Sequence, residues 1–145
     1  MSVFVNTVDV VGDEALTTSF IERSITEIAD NFVTQLLGAT FEDCKSLTKA
    51  DFPALTFIAN YVFSGCTKLK ALVLRNTDAI CTTEGSSAIA RSGIANGTGY
   101  IYVPRALVEE YKAATNWSVY STQFRALEDY TVDGTTTGEL DETKI

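Results

Sequence analysis

The residues whose types could do chemistry in this 145-residue chain include three cysteines, adjacent carboxylates such as Glu42/Asp43 and Glu109/Glu110, and a cluster of glycines, with no histidine anywhere. The lack of histidine excludes Ser-His-Asp and Cys-His nucleophiles and imidazole-ligated metals together. Cys44, Cys66 and Cys81 are odd in number and contain no Cys-x-x-Cys pair, so they read as buried structural thiols and not as redox or zinc ligands. Glu42/Asp43 and Glu109/Glu110 are neighbours in sequence. A general acid needs a desolvated pocket, and adjacent carboxylates on turns or helix surfaces are solvated. Gly93, Gly97 and Gly99 have only Arg91 nearby and lack the G-x-x-x-x-G-K-[ST] pattern, which points to tight turns and not to a phosphate cradle. Asp133, Glu139, Asp141 and Glu142 lack the spacing of a calcium loop. No catalytic residue, metal or cofactor is expected.

Whatever these residues do is set by the elements that carry them, and composition bounds those first. The chain is 46% hydrophobic, enough for one core, and has a formal charge of -8 from 11 Lys+Arg against 19 Asp+Glu. Six of the acids follow Leu127, with Lys144 the one base beside them, so the body is mildly acidic and the tail strongly so. Without a basic block, nucleic acid and anionic membrane surfaces are not expected partners. The opening residues carry no basic n-region, and Asn6, Thr7, Asp9 and Gly12 break their apolar run, so neither a signal peptide nor membrane insertion is expected. Sequons at Asn96 and Asn116 carry weight only on a secretory route.

Self-comparison reveals a period of 22. Residues 31–52 align without a gap on residues 53–74, pairing Val33 with Leu55, Leu36 with Ile58, Phe41 with Phe63, Cys44 with Cys66, Leu47 with Leu69, Ala50 with Leu72 and Phe52 with Leu74. Every pair is apolar. One period earlier, Ile25 and Ile28 fit, whereas Glu22 and Asp30 do not, as in a degenerate terminal repeat. Each unit ends in a short alternating strand, with Leu72 and Leu74 inward and Ala71, Val73 and Arg75 outward. The stretch over residues 58–66 has near-helical spacing and predicts a helical turn, giving one strand per unit. Cys44 and Cys66 should stack about 5 Å apart, with parallel side chains that oppose a disulfide.

Units of this kind must be sealed at both ends. Val3, Val5, Val8 and Val10 predict a strand or extended arm that either closes the first unit or reaches another subunit, followed by a helical-looking stretch over residues 13–21. Beyond about Asn76 the repeat is expected to give way to a β-α-β cap. Tyr100 to Val103 reads as a strand, residues 106–114 as a helix and residues 123–127 as a last strand, with Trp117 between. Residues after Tyr130 are polar, acidic and aperiodic, and read as a flexible or extended tail.

The runs Ala39-Thr-Phe-Glu-Asp-Cys-Lys-Ser-Leu and Tyr61-Val-Phe-Ser-Gly-Cys-Thr-Lys-Leu resemble the A-F-x-x-C-x-x-L unit of the bacterial surface-antigen (BspA-like) class of leucine-rich repeats. Thr40 and Val62 replace its alanine, and the resemblance spans roughly residues 25–81. The segment from Gly97 to Trp117 is similar to one that follows such repeats in proteins of Gram-positive gut bacteria and their tailed phages. Ile21-Glu-Arg-Ser-Ile-Thr-Glu-Ile-Ala-Asp-Asn looks like the start of short, signal-less members from phage structural regions. The resemblance implies an α/β fold, a short leucine-rich-repeat solenoid of about three coils with a mixed α/β C-terminal cap. The expected division is an arm or cap over residues 1–20, coils over 21–80, the cap over 81–128 and the acidic tail over 129–145. It further implies a virion structural protein, a head or tail decoration, fibre or receptor-binding component assembled in the host cytoplasm. Its partners would be capsid or tail proteins, or a host-surface protein or glycan, with a homo-oligomer or larger assembly as its form. The alternative is a bacterial cell-surface adhesion or binding protein of the same repeat family. The candidate binding residues are the outward rows Lys49 beside Ala71 and Asp51 beside Val73, with Arg75 at the end.

Overall fold

Apolar residues that recur every 22 positions can share one core only if successive strands lie side by side and run the same way. Parallel pairing is what the computed structural model shows, and it describes residues 2–5, 15–16 and 25–145. In chain order the strands are β1 (Ser2–Val5), β2 (Ala15–Leu16), β3 (Ile25–Ala29), β4 (Gln35–Leu36) and β5 (Lys49–Asp51). They continue as β6 (Phe57–Ile58), β7 (Ala71–Val73), β8 (Thr82–Thr83), β9 (Tyr100–Val103) and β10 (Phe124–Ala126), with one α-helix among the described residues, α1 (Val108–Ala113). The class is α/β. Among the described residues two parallel sheets form, one in the order β1-β3-β5-β7-β9-β10 and the other β2-β4-β6-β8.

Register places Ile28, Ala50, Leu72 and Ile101 in one row, and Leu36 beside Ile58 in the second sheet. All six are buried. Phe41 and Phe63 stack with ring centroids 5.5 Å apart and planes within 8°. Threonines form a parallel ladder: the Thr48 hydroxyl donates to the Thr26 carbonyl at 2.9 Å and that of Thr56 to the Thr34 carbonyl at 3.1 Å. Equivalent residues of neighbouring units therefore satisfy each other's polar groups as well as filling one core.

Three sequence expectations are corrected. Residues 58–66 form no helical turn: β6 is a second strand in the unit, and turns follow it. Tyr61 and Gly65 take positive φ of 66° and 78°, which a right-handed helix cannot accommodate. The amides of Phe41 and Asp43 donate to the Val62 and Ser64 carbonyls at 3.0 and 2.8 Å, and those of Phe63 and Gly65 donate to the Ala88 and Ala90 carbonyls. Bonds between units thus use donors that a helix would use internally. The parallel pairing also continues past Asn76, because β8 pairs with β6 and β9 with β7. Ile101 lies 29 residues after its register partner Leu72, against 22 between Ala50 and Leu72, so the longer connection hides this unit from a gapless comparison. Within the helical-looking stretch over residues 13–21, Ala15 and Leu16 form β2, paired with Gln35 and Leu36. The rest of that stretch lies outside the described residues.

The C-terminal β-α-β order holds, with β10 parallel to β9. Tyr111, Trp117 and Phe124 form an aromatic cluster with centroids 5.3 to 5.8 Å apart. The Cys81 amide donates to the Tyr111 hydroxyl and the Trp117 indole donates to the Cys81 carbonyl, both at 2.7 Å. One buried core runs unbroken from Ile25 to Phe124.

Candidate binding face

The larger sheet has two sides. Leu72 and Ile101 face the main core, while the alternate residues Ala71, Val73 and Tyr102 belong to a separate buried cluster with Leu127 and Leu140 on the opposite face. The candidate rows fall on that outer face as the sequence predicts, Lys49 beside Ala71 and Asp51 beside Val73. Ala71 and Val73 are nevertheless fully buried, because the C-terminal segment folds back over them. The flexible or extended tail expected after Tyr130 is instead a docked hairpin-like loop. Thr131 bridges antiparallel to Leu140, and the Val132 and Asp141 amides donate to the Glu139 and Tyr130 carbonyls at 2.8 Å.

Apolar and polar contacts hold this loop to the face. Leu140 is buried against the outer cluster. Lys49 Nζ donates to Glu142 at 2.6 Å and pairs with Glu27 at 3.2 Å. The Arg75 guanidinium grips Asp51 through Nε at 2.9 Å and Nη2 at 3.0 Å, and its Nη1 donates to the Thr136 and Gly138 carbonyls at 2.8 Å each. Burial works to lower the Lys49 pKa, but hydrogen bonds to Glu142 and Glu27 outweigh it and the ammonium titrates above its ordinary range. Burial pushes the Tyr102 phenol up to about 12. Tyr102 also meets Tyr130 edge-on at 4.8 Å, and Arg125 lies 4.2 Å over the Tyr100 ring. Two open clefts flank the loop. One of about 740 Å³ is lined by Asn31, Asp51, Arg75 and Asn76, and one of about 380 Å³ by Glu27, Lys49 and Glu142.

The remaining candidates fall elsewhere. Val3 and Val5 lie in β1, which pairs with this chain's own β3, and Val8 and Val10 lie outside the described residues. All three cysteines are buried thiols, and burial raises Cys66 to about 12. Glu109 and Glu110 are exposed, Glu109 near Lys112 at 3.7 Å, while Glu42 and Asp43 are half-buried on a turn. Gly93 and Gly99 allow the chain to pass against the Leu69 carbonyl, where a Cβ would collide. Asp133 and Asp141 are held below the ordinary carboxylate range by the hydroxyls and amides of Thr135 and Thr143. Among the described residues no cluster of metal-ligating side chains occurs, and no helix is long and apolar enough to cross a membrane. Sequence reasoning missed Leu140, Tyr102 and Leu127 as members of the face. The available signal was Leu140 itself, an aliphatic residue isolated in a polar tail.

No protein-family model matches the chain, and neither a curated protein nor a solved structure shows significant similarity to it.

Proposed function

We propose that the chain is a binding module, a short leucine-rich-repeat solenoid of the surface-antigen class that serves as a structural component of a phage virion. The observation that carries the module reading is the in-register stacking of equivalent residues 22 positions apart, including the Phe41–Phe63 pair and the threonine ladder. Stacked units of this kind form a rigid frame that presents rows of side chains, an arrangement suited to recognition. The paired ions of the outer face and its flanking clefts supply polar contacts, whereas the carboxylate pairs lack the desolvated surroundings of a general acid. The virion setting rests on the resemblance of residues 21–31 to short proteins of phage structural regions and of residues 97–117 to a segment in proteins of Gram-positive gut bacteria and their tailed phages, and its partners are capsid or tail proteins or a host-surface protein or glycan.

Quantitative mass spectrometry on purified particles of the phage that encodes the chain tests this reading. A fixed copy number per particle that survives density-gradient purification is the expected result. Absence from particles, together with saturable binding of the purified chain to bacterial cells, would replace the virion component with a surface-adhesion protein.

A further inference from the structure

The outer face is already filled, and the segment filling it has the chemistry of a ligand. Residues 130–145 carry Asp133, Glu139, Asp141 and Glu142 against the single base Lys144. Of their aliphatic residues, Leu140 is 5% exposed and is the buried anchor, Ile145 packs half-buried against the same outer cluster, and Val132 is 65% exposed. Two residues beyond the anchor, Glu142 meets Lys49, and the preceding backbone carbonyls of Thr136 and Gly138 meet Arg75. A loop with a buried leucine anchor is thus read by a lysine that pairs with its Glu142 carboxylate, an arginine that takes its backbone carbonyls, and a small apolar patch made by Ala71, Val73 and Tyr102.

The segment is held by side-chain contacts and not by sheet pairing. Its own ladder is an isolated bridge, it adds no strand to either sheet, and its apolar cluster is separate from the main core. The clefts of about 740 and 380 Å³ border it on the same face, share Asp51 and Arg75 in their walls and are closed on one side by the segment itself, so its release would join them.

We propose that this face is a docking site for an acidic peptide segment of a partner protein carrying an aliphatic anchor. The chain's own tail occupies it in cis as a displaceable stand-in. Binding of a partner then requires release of the tail, which makes the module self-blocked until a competing segment is concentrated beside it. The inference rests on the binding-module reading and names its partner class.

The test uses the full chain bearing Leu140→Asp, which disables the anchor and leaves the face intact, and a fluorescent peptide of residues 130–145. Because a tethered tail competes at an effective concentration on the order of millimolar, the variant should bind the peptide at least about tenfold more tightly than the wild type by anisotropy. Adding Lys49→Glu should weaken that binding about fivefold, the scale of one partly exposed ion pair. A Leu140→Asp chain with native circular dichroism that binds no better than the wild type overturns the proposal, as does binding indifferent to Lys49→Glu. Should that variant not fold, hydrogen exchange on the wild type decides: the Val132 and Asp141 amides should exchange at least about a hundredfold faster than that of Phe63. Equal protection overturns displacement. Retention of the chain on particles is measured independently, so failure here leaves the module reading intact.

Discussion

Replacing Arg75 with alanine removes a guanidinium that holds two layers of the molecule together. It binds Asp51 through two nitrogens and the tail through the Thr136 and Gly138 carbonyls. The Arg75 and Asp51 side chains keep 11% and 17% of their exposure, so the loss leaves a carboxylate and two carbonyls that regain water incompletely. Breaking a fully buried pair costs about 3–5 kcal/mol and an exposed one under about 1 kcal/mol, which places Arg75→Ala at about 2 kcal/mol. For a chain of this length that is a fall of about 6 °C in Tm, read by calorimetry. Asp51→Asn in the Arg75→Ala background should recover about 1 kcal/mol, because the stranded charge is gone. A Tm change within about 1 °C for Arg75→Ala, or strictly additive losses in the double variant, refutes the reasoning.

Other perturbations have equally specific outcomes. Phe63→Ala empties one half of the inter-unit stack with Phe41 and should cost about 3–5 kcal/mol in urea unfolding. Gly99→Ala drives a Cβ into the Leu69 carbonyl and the Lys70 Cα and should cost at least about 2 kcal/mol, whereas Gly97→Ala meets open space and should cost about 1 kcal/mol for its positive φ alone. With all three cysteines buried, none should react with a thiol reagent at pH 8 until denaturant is added; rapid labelling of the folded protein would contradict the packing. Tyr102 has its pKa raised by burial, so its stabilising effect is complete below the ordinary tyrosine value near about 10 and is lost as pH climbs towards about 12. Tyrosinate absorbance should therefore show a late class that ionises together with loss of near-ultraviolet circular dichroism.

The gapless 22-residue register made the inward row legible, because the same apolar positions recur in both units and line one core. The same comparison contained the threonine ladder as Thr26–Thr48 and Thr34–Thr56, identities outside the hydrophobic pattern. Periodicity misread residues 58–66, where apolar spacing matches a helix but Tyr61 and Gly65 turn left-handed and the donors bond to the next unit. The unit after Asn76 was invisible because its connection is longer, and β8 within it consists of two threonines with no apolar signature. For the binding face, the outward rows were legible from strand alternation. What covers them was not, since a polar tail with a single leucine anchor has too little apolar pattern to betray a docking site.

The measurement that tests the account most directly is cosedimentation of three full-length chains with purified phage particles: wild type, Leu140→Asp and the Leu140→Asp/Lys49→Glu double variant. The account predicts saturable binding of the wild type, tighter binding of Leu140→Asp because its face is unblocked, and binding by the double variant weaker than that of Leu140→Asp, because Lys49 no longer pairs with the partner. Failure of all three to sediment with particles, or identical binding by all three, would contradict a virion module that recognises its partner through this face.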